Sequence, residues 1–211
     1  LFEDETATYG KSWGFKDYLD AHEVPLIVVG IECNHEGNSR LIEYCPYTFQ
    51  DDTFGTIEGS GQQMMQWVVD ELKPLIDREL PTRSDRAHTW IGGSSMGGLM
   101  ALYSITHHNA VFSKAACLSP FIAPVYRELT AECQRPLQPD TSIYLSWGSS
   151  ETRSKRSFAE ISKVNLEIAN QLQKQNIRLH LNLVVGGQHN EACWEKEIPV
   201  FLRFFKETTA M

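Results

Sequence analysis

The sequence predicts an α/β protein: a mostly parallel sheet with helices covering both faces. Three observations carry that prediction. Apolar runs rich in β-branched residues alternate with helical stretches, the pattern that βαβ units leave in a sequence. Gly93-Ser94-Ser95-Met96-Gly97 stands between an apolar run at 87–91 and a helical stretch at 99–107. Two ionisable residues, Glu151 and His189, each follow the end of a later apolar run. Ligand sites of open α/β sheets lie at such ends.

The elements follow in order. Residues 12–22 are a helix candidate. Residues 25–31 form an apolar, β-branched run without alternation, which predicts a strand covered on both faces. Residues 32–56 read as a long polar and aromatic loop, of the kind that often carries function. Residues 62–79 place Met65, Val68, Val69, Leu72 and Ile76 at helical spacing, with Pro74 positioned to kink or shorten the helix. The strand before Ser95 and the helix after it come next. Residues 114–118 are a short strand ending in Ser119-Pro120. Residues 121–140 are a short lid-like excursion, too small for a separate cap domain. A strand at 142–147 leads to Glu151, and a helix spans 154–175. Leu179, Leu181, Leu183 and Val185 alternate along a strand that ends at Gly186-Gly187-Gln188-His189. A final helix covers 193–206. Without repeats or low-complexity linkers, 1–211 reads as one domain, and 211 residues suffice for a sizeable core.

The G-x-S-x-G stretch is the chemical centre of this reading. A nucleophilic serine must stand exposed on a sharp strand-to-helix turn. Gly92, Gly93, Gly97 and Gly98 give neighbouring backbones room to approach. The helix start beside Ser95 offers free N–H groups to a developing oxyanion, with Met96 N–H as one donor. A serine hydroxyl is a weak nucleophile and needs a base held by a third group. The order serine, acid, histidine selects His189 as base and Glu151 as the orienting acid, with Asp140 and Glu191 as fallback acids. His22, His35 and His88 precede the serine, while His107 and His108 sit late in its helix and His180 lies inside a strand pattern. Asn34, His35, Tyr44, Tyr47, Phe121, Trp147 and Trp194 are the candidate substrate-lining residues. Packing is the competing reading for Trp147 and Trp194.

The net charge of −8 disfavours nucleic acid and anionic membranes as partners. No apolar run approaches the ~18 residues that span a membrane. Cys33, Cys45, Cys117, Cys133 and Cys193 are widely spaced, which points to reduced thiols and a cytoplasmic setting. No C-x-x-C or H-E-x-x-H pattern occurs, so no metal or cofactor is expected.

These residues resemble a family. Residues 91–98, Gly148-Ser149-Ser150-Glu151 and Gly187-Gln188-His189-Asn190 are similar to the esterase-D-like esterase branch of the α/β-hydrolases. So are residues 28–32 and 40–44, and Phe2-Glu3-Asp4 followed by Tyr9-Gly10-Lys11-Ser12-Trp13. The resemblance covers nearly the whole chain and implies acyl-ester chemistry without selecting one ester. The expected function is a serine carboxylesterase for small soluble esters, with a small-molecule ester as partner and homo-oligomerisation left open. The alternatives are an acyltransferase using the same triad and a non-catalytic binding module of this fold. Aligned to the fold, the strand at 25–31 is the fourth and the strand before Ser95 the fifth. The third would sit between them and lead to the second oxyanion donor. That strand is expected in a segment of about 50 residues upstream of Leu1.

Overall fold

The computed structural model describes residues 1–4, 7, 10–152 and 154–207; Tyr9 of the resemblance lies outside them. Helix α1 (Phe15–Ala21) begins at Gly14, whose φ of +58° suits a residue without a side chain. The stretch expected as a loop contains α2 (Ser39–Glu43) and an antiparallel hairpin, β1 (Phe49–Asp51) with β2 (Gly55–Ile57). Local turn chemistry closes that hairpin. Asp51 Oδ1 accepts the N–H groups of Thr53 and Phe54, at 2.8 and 3.0 Å.

Helix α3 (Gly61–Trp67) continues through a π-helical turn at Val68–Leu72 into α4 (Lys73–Glu79). Pro74 therefore neither ends nor shortens the helix. It has no N–H for the carbonyl of Asp70, and the wider turn just before it absorbs the missing bond.

Four strands build the main sheet: β3 (Trp90–Ser94), β4 (Lys114–Leu118), β5 (Ser142–Gly148) and β6 (Arg178–Val184). They are parallel and lie in that order, with Gly92 beside Ala116, Ala116 beside Tyr144 and Tyr144 beside His180. The crossovers carry α5 (Met96–His107), α6 (Tyr126–Glu132) and α7 (Lys155–Leu172). The predicted last helix divides into α8 (Glu191–Trp194), a 3-10 turn and α9 (Ile198–Lys206). Pro199 lies in the first turn of α9, where a missing N–H costs nothing.

Strand alternation sends side chains into two cores, one on each face. Ala115, Cys117, Ile143 and Leu145 join Leu99 and Leu102 of α5 in the first. Ala116, Leu118 and Tyr144 join Phe15, Trp194, Ile198 and Phe201 in the second. Leu99 and Leu102 are fully buried, each contributing about 1.5–3 kcal/mol. The excursion at 121–140 folds down onto the first core, where Val125, Leu129 and Cys133 are fully buried. All five cysteines are free. Among the described residues, no helix is long and apolar enough to cross a membrane.

One predicted strand is not formed. Residues 25–31 enter no ladder among the described residues, and β3 is an edge of the sheet. Their period-two geometry survives in part. Leu26 and Val28 pack on the second core, whereas Ile27, Val29 and Ile31 are 47, 42 and 37% exposed. An apolar run becomes a strand only when another strand takes its N–H and C=O groups.

Candidate active site

Ser95 stands between β3 and α5 with φ +55° and ψ −119°, a backbone state that non-glycine residues rarely hold. Neighbouring backbone holds it there. Ser95 N–H donates to Leu118 C=O at 3.0 Å, and its own C=O accepts from Phe121 N–H at 3.1 Å and Leu99 N–H at 3.0 Å. The turn closes only because of its glycines. A Cβ on Gly93 would meet the Gly97 carbonyl carbon at 2.6 Å, and one on Gly98 would meet Leu118 O at 2.7 Å. Met96 opens the twelve-residue helix α5, and its N–H has no hydrogen-bond partner among the described residues.

The other two triad candidates follow the same, C-terminal end of the parallel strands. Glu151 follows β5, His189 follows β6, and His189 Nδ1 lies 3.0 Å from Glu151 Oε2. Their loops are stitched together. Ser150 N–H donates to Gly187 C=O at 2.9 Å, and Gly186 N–H donates to Ser149 Oγ at 2.8 Å. A Cβ on Gly148 would strike Gly187 O at 2.3 Å, so this approach also requires glycine. Glu151 is nearly buried, and burial alone would push its carboxyl up. Bonds from His189, Ser119 and Gly148 N–H outweigh that and hold it below the usual range. No hydrogen bond joins Ser95 Oγ to His189 among the described residues; such contacts commonly tighten only with substrate bound.

Three of the competing histidines and one fallback acid are engaged elsewhere. His88 pairs with Asp85, His107 lies beside Glu132, and His180 stacks on Tyr144. The fallback acid Asp140 pairs with Arg86.

The proposed lining residues scatter. Phe121 does border the serine turn, through its backbone bond to Ser95 and its ring against Phe49. Tyr44 lines a cavity of about 470 Å³ with Val29, Ile31, Met64 and Trp67, and neither Ser95 nor His189 borders it. Asn34 and His35 are exposed and engaged with Glu36, Glu43 and Glu32. Tyr47 packs edge-on against Tyr103 in the first core. Trp147 is 4% exposed and donates to Ser162 Oγ at 3.1 Å. Trp194 is equally buried, with its ring edge-on to His189. Glu32, Cys33 and His35 bring potential ligand atoms within 4.8 Å of one another and could hold a metal ion, on an exposed loop that none of the triad candidates touches.

Sequence reasoning missed Ser119. Its hydroxyl donates to Glu151 Oε1 at 2.6 Å and accepts from Trp194 Nε1 at 2.9 Å. The available signal was its place just past the C-terminal end of a strand, the region that also holds Glu151 and His189.

A parallel sheet wrapped by helices, with a serine turn and a carboxylate–histidine pair at one end, defines a chain of the α/β-hydrolase type. The family described as "Putative esterase" matches residues 9–205, and this chain belongs to it. The uncharacterized protein YbbA of Bacillus subtilis is 25% identical over 181 residues, covering 82% of this chain and 70% of YbbA. The BES protein from Bacillus cereus superposes with a TM-score of 0.66 at 18% identity, over 83% of this chain and 66% of that one. An IroE-like serine hydrolase from Shewanella oneidensis does so with a TM-score of 0.63 at 18% identity, over 79% of this chain and 57% of that one. The chain thus spans less than two thirds of either solved relative.

Proposed function

We propose that the chain acts as a serine carboxylic-ester hydrolase on small soluble esters, with Ser95 as nucleophile. Ser95 Oγ attacks the acyl carbonyl while His189 takes its proton, and Met96 N–H binds the oxyanion. Collapse of the tetrahedral intermediate expels the alcohol, which receives the proton from His189. Water, deprotonated by His189, then attacks the acyl-enzyme; collapse breaks the bond to Ser95 Oγ, which takes the proton back from His189 as the acid leaves. Glu151 orients the imidazole and offsets the positive charge it gains.

The observation that carries the reading is the strained Ser95 turn, set at the sheet end where the Glu151–His189 pair lies. Strain of about 1–3 kcal/mol at one residue persists where the surroundings over-determine it, commonly at functional sites. Residues 121–140 are too few for a separate cap domain and bury Val125, Leu129 and Cys133 in the first core, which favours short acyl chains as substrates.

The test is turnover of p-nitrophenyl acetate and butyrate by wild type and Ser95→Ala. Loss of turnover and of fluorophosphonate labelling in the variant supports the reading. Equal rates in the two proteins overturn it. Acid as the sole product when an alcohol is added separates hydrolysis from acyl transfer.

A further inference from the structure

We propose that Ser119 and Trp194 form a positioning relay that holds both Glu151 and His189; the inference rests on the esterase reading above. Trp194 Nε1–H donates to Ser119 Oγ at 2.9 Å. A hydroxyl has a single proton to give. With its oxygen already accepting from the indole, that proton points to Glu151 Oε1 at 2.6 Å. Oε1 also accepts from Gly148 N–H. Oε2 is thereby left to His189 Nδ1. Trp194 acts on the base as well, its ring lying edge-on to the imidazole at 5.0 Å and 84°. One indole therefore sets the carboxylate through Ser119 and the imidazole by direct contact.

A second observation points to Ser119 independently. It sits at φ +45°, one of only three non-glycine residues with positive φ among the described residues, Ser95 being another. Glycine would hold this backbone at less cost. The short segment around Ser119 also reaches the nucleophile. Leu118 C=O accepts Ser95 N–H, and Phe121 N–H donates to Ser95 C=O. The four residues 118–121 thus touch the serine by backbone and the acid by side chain. A glycine in place of Ser119 would relieve the strain and lose the register.

The experiment is a double-mutant cycle with Ser119→Gly and Trp194→Phe, read on p-nitrophenyl acetate. Ser119→Gly removes the hydroxyl where the backbone favours glycine; Trp194→Phe keeps a ring and removes only the N–H donor. Ser119→Gly should lower kcat about tenfold, the loss of one charge-assisted bond, with KM within about twofold of wild type. The double variant should be no slower than Ser119→Gly, because both remove one chain of bonds. Ser119→Asn, which tolerates positive φ and restores an N–H donor, should recover part of kcat. The downfield proton resonance of His189 Nδ1–H should broaden in Ser119→Gly and return in Ser119→Asn. Should Ser119→Gly fail to fold, Trp194→Phe with the same resonance decides the question. Wild-type kcat in Ser119→Gly, or strictly additive losses in the cycle, overturns the relay alone. A wild type with neither turnover nor labelling overturns the relay together with the esterase reading.

Discussion

Glu151 and His189 form an asymmetric pair. Their 3.0 Å contact joins a carboxylate side chain that is 6% exposed to an imidazole that is 37% exposed. The carboxylate is enclosed while the imidazole stays open to solvent, the arrangement that the proposed orienting and proton-carrying roles require.

This asymmetry sets a pH dependence. Burial opposes ionisation of Glu151, but bonds from His189, Ser119 and Gly148 hold its carboxyl below the usual value. A group depressed on folding contributes stability that is complete above its unfolded value and is lost as pH falls through the folded one. Glu151→Gln should therefore flatten the loss of stability below about pH 4.5, near the unperturbed carboxylate range. It should also reduce kcat by roughly 10²–10⁴-fold, since the imidazole loses its orienting charge. Urea titrations from pH 3 to 7 and ester kinetics check both; an unchanged acid limb of stability counts against the assignment.

Glu197 should behave in the opposite sense. It is buried in the second core, where Tyr144 Oη donates to its Oε2 at 2.7 Å. Burial raises its carboxyl above the usual value. A group raised on folding costs stability as pH climbs through its unfolded value. Glu197→Gln keeps an acceptor for Tyr144 and cannot ionise. It should raise Tm at pH 8 and change it little at pH 4. Melting curves at the two pH values decide; equal gains at both would contradict the burial argument.

Gly93 and Gly97 share a motif but not a constraint. A Cβ on Gly93 meets Gly97 backbone at 2.6 Å, whereas one on Gly97 meets nothing within 4 Å. Gly93→Ala should cost about 1–3 kcal/mol and abolish fluorophosphonate labelling by displacing the turn. Gly97→Ala should be neutral or more stable by up to about 1 kcal/mol, from helix propensity. Chemical denaturation of both variants checks the contrast, and similar losses would show that the turn is not set by this contact.

Trp147→Phe tests the packing reading. Losing the bond to Ser162 should cost about 1 kcal/mol while KM for short esters stays within about twofold. A KM rise of tenfold or more would return Trp147 to the substrate pocket.

Much of the fold was legible because it is local. The strands at 114–118 and 142–148 follow from apolar runs and the strand at 178–184 from its alternation, while the helix expected over 154–175 forms as Lys155–Leu172, with Ser154 accepting from Ser157 N–H. The Ser95 turn follows from glycines at fixed spacing, and the order of Ser95, Glu151 and His189 from strand ends. The surroundings of the candidate lining residues were not legible, because a tryptophan next to a motif carries no mark of which way it faces. Trp147 and Trp194 have the same composition signal, yet one packs on α7 and the other lies edge-on to the imidazole.

The sequence by itself determined the strand-turn-helix at Ser95 and the chain order of the three candidate catalytic residues. Short-range sterics and apolar periodicity suffice for those. Only the tertiary structure decided that 25–31 joins no ladder among the described residues, since a strand depends on hydrogen bonds from another segment. Only the tertiary structure brought Ser119, Glu151, His189 and Trp194 into one bonded group. Those residues lie up to 75 positions apart, and their contact exists only once β4, β5 and β6 are in register and α8 is docked beneath them.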